Sequence, residues 1–256
     1  MRKFNIAILC FIVSFFACKQ VEQPIFQIST IELLLAGNYD GNRYVESLKS
    51  QGNFGIGTFN KLDGEMIFVN GEIFKAKSDG TVCDAKETET TPYATVCWFQ
   101  PSIEFTLTNI ANISQLDSAF RKQLPNDHDI YAIKITGMFD SIRVRSVDKQ
   151  QKPYKPLIEI VKSQATFQYD NILGTVVGFY APSSLKEIMV KGMHLHFLSD
   201  DYKKGGHLLA LNASKKVQCS IAKYSGMYLD LQQKKSRIFT SNSKNDIQKD
   251  IEKIEK

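Results

Sequence analysis

The period of polar and apolar positions changes along the chain. Ser29-Thr30-Ile31-Glu32 is a capping box ahead of Leu33-Leu34-Leu35, which predicts a short helix that stops at Gly37. A second short helix is predicted over residues 44–50, closing at Gly52. From Phe54 the period falls to two: a strand over 54–59, a turn at Asp63-Gly64, a strand over 66–69, the hairpin turn Asn70-Gly71, a strand over 73–77 and a turn at Asp79-Gly80. This is an antiparallel meander. Strands follow at 93–99, 103–108, 130–139 and 142–147, with a helix over 113–124 capped by Asn112 and stopped by Pro125.

Pro153 and Pro156, among lysines and glutamines, make 150–156 the expected domain boundary, dividing a domain over 25–150 from one over 151–240. Beyond it come strands at 165–168 and 174–180, a short helix after Ser184, and strands at 193–198, 207–211 and 217–222. A charged C-terminal helix lies within 241–256, with Ile247, Ile251 and Ile254 at helical spacing.

At the other end, Arg2 and Lys3 precede an apolar run over 4–17, too short to span a bilayer, which reads as an export signal within 1–24. Ala17 before Cys18 resembles the bacterial lipoprotein cleavage box. The expectation is an exported protein whose acylated Cys18 anchors it to a membrane, periplasmic or at the cell surface. Ordinary cleavage nearby, or an uncleaved anchor, are the alternatives.

Removing Arg2 and Lys3 changes the charge from +5 to +3, with 30 basic against 27 acidic side chains, so no nucleic-acid partner is expected. With 43% hydrophobic and 11% aromatic residues, the chain can build a true core and is not disordered. Of five cysteines, Cys83, Cys97 and Cys219 remain in the mature part, either as a Cys83–Cys97 bridge with one thiol left over or as free thiols.

Three of the four histidines fall within fourteen residues. In Met193-His194-Leu195-His196-Phe197-Leu198, alternation on a strand sends both imidazoles to one face. Residues 199–206, ending in Gly205-Gly206, read as a hairpin loop. If 198 faces 205, then His196 faces His207 and the third imidazole joins the same face. Three neutral imidazoles with an open position are the donor set of catalytic zinc, although copper, iron, nickel and cobalt also accept imidazole. His128, between Asp127 and Asp129, reads as a solvated loop residue. Asp63 or Glu65, at the mouth of a hairpin, and Arg143 with Arg145, alternating on one strand, are the accompanying candidates for acid and guanidinium chemistry.

Ser29-Thr30-Ile31-Glu32-Leu33-Leu34-Leu35-Ala36-Gly37, Gly55-Ile56-Gly57-Thr58-Phe59, Asp63-Gly64-Glu65, Thr91-Pro92-Tyr93-Ala94-Thr95, Arg145-Ser146-Val147, Lys152-Pro153-Tyr154-Lys155-Pro156-Leu157, Gly174-Thr175-Val176-Val177-Gly178-Phe179 and the histidine hairpin together resemble the alpha-acetolactate decarboxylase family. The resemblance implies an α/β (α+β) protein with two β-sheet-centred domains, one mixed sheet and one antiparallel sheet, and short helices. It implies zinc on His194, His196 and His207, catalytic Glu65 and Arg145, and substrate contacts from Thr58 and Arg145. It places Arg143 and Asp63 outside the catalytic set. It also implies a C-terminal glutamate that folds back to the metal, Glu255 or alternatively Glu252. The implied reaction is zinc-dependent decarboxylation of 2-acetolactate to acetoin and carbon dioxide, with the metal chelating the hydroxyl and ketone oxygens and stabilising an enediolate. The partner is then a small molecule, with the lipid anchor as the membrane contact and a homodimer left open. A non-catalytic metal-binding surface lipoprotein and a zinc hydrolase are the rival readings.

Overall fold

The computed structural model describes residues 23–232, 249–251 and 253–254. The segment expected to direct export, with Cys18, and the two glutamates Glu252 and Glu255 lie outside the described residues.

The chain enters on β1 (Ile25–Ile28) and turns through α1 (Ile31–Leu35). Thr30 is the N-cap, its hydroxyl accepting from the Leu33 amide at 3.2 Å, one residue later than a Ser29 cap would require. Next come β2 (Arg43–Tyr44), a 3-10 turn (Val45–Ser50), β3 (Phe54–Thr58), β4 (Glu65–Val69), β5 (Glu72–Ala76) and β6 (Val82–Asp84). Asn70 and Gly71 both take positive φ, 55° and 86°, as the tight hairpin between β4 and β5 demands. Then follow β7 (Thr90–Thr91), β8 (Tyr93–Cys97), β9 (Ile103–Leu107), α2 (Ile113–Arg121), β10 (Ile130–Ser146), α3 (Leu157–Ile160) and β11 (Ala165–Ala181). β12 (Gly192–Ser199), β13 (Gly205–Asn212), β14 (Val217–Tyr224) and β15 (Met227–Asp230) complete the described strands.

Seven strands form a mixed sheet in the order β15-β1-β8-β3-β4-β5-β6, mixed because β15 runs parallel to β1. Six form an antiparallel sheet, β11-β12-β13-β10-β14-β9, and β11 also pairs with β10, so β10, β13, β12 and β11 close on themselves. The boundary expected near residue 150 does not coincide with the sheets. β9 and β10 precede it yet belong to the antiparallel sheet, and β15 returns to the mixed one.

β10 and β11 are each 17 residues long, where the sequence pattern suggested two shorter strands apiece. Asp140 and Asn171, which fall in the gaps between the predicted strands, only interrupt the pairing locally, with Asn171 at φ 50°. Gly174 faces Gly137 across the two strands, and a Cβ there would meet the Phe197 ring at 2.5 Å, so the long pair can fold over that ring only because Gly174 lacks a side chain.

Ile56, Ile67 and Phe74 of the mixed sheet pack on Val177, Phe179 and Leu198 of the other. Inside the closed strands Ile135, Phe139, Val144, Phe197 and Leu211 meet Leu116 and Phe120 of α2. Each such side chain contributes about 1.5–3 kcal/mol on burial, enough to fix the mutual register of the sheets to which the functional groups are attached. Cys83, Cys97 and Cys219, the cysteines among the described residues, are free. Cys83 and Cys97 sit on β6 and β8, four strand spacings apart, roughly 19 Å against the roughly 7 Å limit for a bridge.

Candidate metal centre

The β12–β13 pairing is the one the alternation requires: His196 opposite His207, Phe197 opposite Gly206, Leu198 opposite Gly205. Leu195 and Phe197 enter the core of the closed strands, so the imidazoles are presented towards the mixed sheet. One ligand nitrogen from each of His194, His196 and His207 can be chosen so that all three lie within 4.8 Å of one another. Close passage of the neighbouring strand brings the third group in. Arg145 on β10 pairs with His207, and a Cβ on Gly206 would lie 2.6 Å from the Arg145 carbonyl oxygen. The register between β10 and β13 slips just before this point, between Arg143 and Val144.

The mixed sheet contributes Glu65, the first residue of β4, paired with Thr58 on β3 and Ala76 on β5. The Thr58 hydroxyl donates to the Gly64 carbonyl at 2.8 Å and so fastens the turn that delivers Glu65. His196 Nδ1 lies 2.8 Å from the Met66 carbonyl oxygen. A carbonyl can only accept, so Nδ1 carries the proton and Nε2 keeps its lone pair for a ligand. That Nε2 is buried with no hydrogen-bond partner among the described residues and sits 3.7 Å from Glu65 Oε2, while Arg145 Nη1 lies 3.4 Å from Glu65 Oε1.

Glu65, Arg145, His196 and His207 are all less than a tenth exposed. Burial, followed by the charge of Arg145 and the neighbouring imidazoles, lowers the basicity of the histidines; for His196 the pKa falls to about 3. The imidazoles are therefore neutral at ordinary pH, the form that binds a metal. Burial also pushes the Glu65 carboxyl up to about 7 against the opposing pull of Arg145. An inward-facing Nε2 with its proton position settled, within reach of two further neutral imidazoles, fits a divalent ion.

The sequence candidates divide cleanly. Thr58, Glu65, Arg145, His194, His196 and His207 line one cavity. Arg143 shares the strand face with Arg145, since Ile142 and Val144 point into the core, but Arg143 is exposed where Arg145 is covered by the start of β4. Asp63 pairs instead with Lys75 at 2.6 Å and Lys149 at 3.2 Å, bracing the turn from outside. His128 is exposed beside Asp127. What sequence reasoning missed is the opposite wall of the cavity: Ile31, Leu34, Leu62, Tyr93, Val147, Leu157 and Ile254. Ile31, Leu34, Tyr93, Val147 and Leu157 stood within the segments that carry the family resemblance and Ile254 in the thin stripe of the terminal helix, but nothing in the sequence marked them as a cavity wall. The Met66 carbonyl had no signal, because a backbone acceptor leaves no mark in composition.

The sequence profile described as alpha-acetolactate decarboxylase matches residues 25–243. An alpha-acetolactate decarboxylase of Methanosarcina mazei is 38% identical over 91% of this chain and 80% of its own length, and that of Bacillus subtilis strain 168 is 36% identical over 92% and 93%. The crystal structure of alpha-acetolactate decarboxylase from Bacillus subtilis strain 168 superposes with a TM-score of 0.86 at 35% identity, covering 90% of this chain and 98% of that one. With similarity of sequence and fold running across nearly the whole of both chains, this chain belongs to the alpha-acetolactate decarboxylase family of enzymes.

Proposed function

We propose that the protein is a zinc-dependent decarboxylase that converts 2-acetolactate to acetoin and carbon dioxide. The observation that carries this reading is the convergence of three neutral imidazoles, one buried carboxyl and one buried guanidinium on a single cavity. His194, His196 and His207 would hold the zinc, which would supply Lewis-acid stabilisation of the negative charge developing on the substrate oxygens.

The protein's own groups divide the remaining work. Arg145 lines the cavity and its buried Nε has no acceptor among the described residues, so it is available to take the substrate carboxylate and hold it for departure. Glu65, held by Arg145 on one oxygen and facing His196 on the other, is placed to deliver a proton to the carbon that loses carbon dioxide. Thr58 keeps the turn in place. The apolar wall excludes water, which protects the carbanionic carbon from unselective protonation and lets the placement of Glu65 decide the face that is protonated. The C-terminal glutamate, Glu255 or Glu252, assists proton transfer, and Ile254 lines the cavity.

Incubating the purified, zinc-loaded protein with racemic 2-acetolactate and measuring acetoin tests the reading. Acetoin formed above the spontaneous rate, and abolished by chelation, is expected. Bound zinc without acetoin would favour the metal-binding lipoprotein, and ester or amide hydrolysis without acetoin would favour the hydrolase. We place the enzyme outside the cytoplasm, anchored through acylated Cys18. Mass spectrometry of the native N-terminus is expected to show that modification, and a mature terminus elsewhere would refute it.

A further inference from the structure

Leu62 stands in the cavity wall on an unusual backbone. Lys61 and Leu62 are consecutive left-handed residues, with φ 64° and 56°. For an L residue this conformation crowds Cβ against the following carbonyl, and Gly or Asn is the usual occupant rather than a branched apolar side chain. Such a conformation persists where its surroundings over-determine it. Here the Lys61 amide donates to the Tyr39 carbonyl at 2.8 Å, the Gln150 amide donates to the Lys61 carbonyl at 2.7 Å, and the Gly64 amide donates to the Leu62 carbonyl at 2.7 Å. The Asn60 side chain accepts from the Gly41 amide at 2.9 Å. Two segments remote in sequence thus clamp the turn.

The clamp turns the Leu62 side chain inward until it is 2% exposed, against the same cavity as Glu65, Arg145 and the three imidazoles. Glycine would satisfy the backbone with less strain. What leucine adds is apolar volume beside the reacting groups.

We propose that Leu62 is a specificity-determining residue that sets the size of the alkyl groups accepted on a 2-hydroxy-3-oxo acid. The inference rests on the acetolactate reading and adds to it the chemistry of the apolar end of the cavity. The carboxylate, hydroxyl and ketone oxygens of such a substrate belong at the polar end, with Arg145 and the imidazoles. Its two alkyl groups, the C2 substituent and the acyl terminus, are left for the apolar wall. One methylene too many in an apolar pocket changes selectivity by roughly 10- to 200-fold, so a single leucine is enough to decide between methyl and ethyl.

The test uses the full-length zinc-loaded enzyme with three substrates: 2-acetolactate, its homologue with ethyl in place of the C2 methyl, and its homologue with propionyl in place of acetyl. The readout is the ratio of kcat/KM for each homologue to that for 2-acetolactate. Leu62→Ala is expected to raise the ratio roughly tenfold for at least one homologue at unchanged zinc content, and Leu62→Phe to lower it. Leu62→Gly, which suits the backbone, repeats the enlargement should the alanine variant fold poorly. Ratios within about twofold of wild type in the enlarged and the Phe variants, with zinc retained, overturn the proposal alone. Failure of the wild-type enzyme to turn over any of the three substrates overturns the acetolactate reading and this proposal with it.

Discussion

Arg145→Lys separates charge from geometry at the centre of the site. Lysine keeps the positive charge near Glu65 but replaces a planar fork by a point donor. In the structure the guanidinium spends Nη1 on Glu65 at 3.4 Å and leaves Nε buried without an acceptor among the described residues. The substitution therefore removes at least one charge-assisted hydrogen bond to the substrate carboxylate, worth about 1.5–3 kcal/mol. That converts to a loss of roughly 10- to 150-fold in kcat/KM for acetoin formation. Zinc content, measured by elemental analysis, is expected to stay at the wild-type level because no imidazole is altered. Arg143→Lys, on the same strand but exposed, is expected to stay within about twofold of wild type. A fall of less than about threefold in Arg145→Lys, or equal damage from Arg143→Lys, would refute the assignment of the carboxylate to Arg145.

His196→Ala should abolish zinc stoichiometry while His128→Ala leaves it intact, and equal retention in both would remove the ligand assignment. Glu65→Gln keeps the shape of the side chain but not its proton, so acetoin release should fall by roughly 10²-fold or more while a non-reacting substrate analogue still binds. Lys75, buried between Asp63 and Glu89 at 2.6 and 2.7 Å, should on change to Met cost about 2–3 kcal/mol in chemical denaturation, less than a fully buried pair because both carboxylates keep some exposure. Burial pushes the Asp63 pKa up, but hydrogen bonding and charge from Lys75, then Lys149, outweigh it and leave it below its ordinary value. A carboxyl with a lowered folded-state pKa stabilises above its unfolded value and loses that contribution as pH falls through the folded one. The gap between wild type and Lys75→Met should accordingly narrow in acid, and a gap independent of pH would exclude the ion pair as its source.

Local rules carried far in this chain because its site is built largely from one hairpin. The period-two alternation of His194 and His196, with the Gly205-Gly206 turn before His207, was sufficient to predict the pairing of His196 with His207, since a strand slip of one residue would have exposed Leu195 and Phe197. Asn70-Gly71 marked its turn for the same reason: only a few residues tolerate that backbone. The errors have a common physical origin in contacts between segments remote in sequence. Two 17-residue strands stand where four shorter ones are expected, and the pairing of β10 with β11 on both sides of Asp140 and Asn171 holds them extended. The boundary near residue 150 followed a proline-rich segment, whereas the sheets exchange strands across it through β9, β10 and β15. Asp63 and Glu65 looked equivalent at the mouth of one hairpin, yet two residues decide that one carboxyl meets Lys75 outside the turn and the other meets Arg145 inside the cavity. The same turn carries Leu62 inward. Residues 58–65 thus place the threonine, the leucine and the acid around one clamped turn, and the Met66 carbonyl immediately after it fixes the proton of His196. The two sheets are coupled at this point by the chemistry itself, so a change that loosens the turn should disturb alkyl selectivity, proton delivery and ligand orientation together.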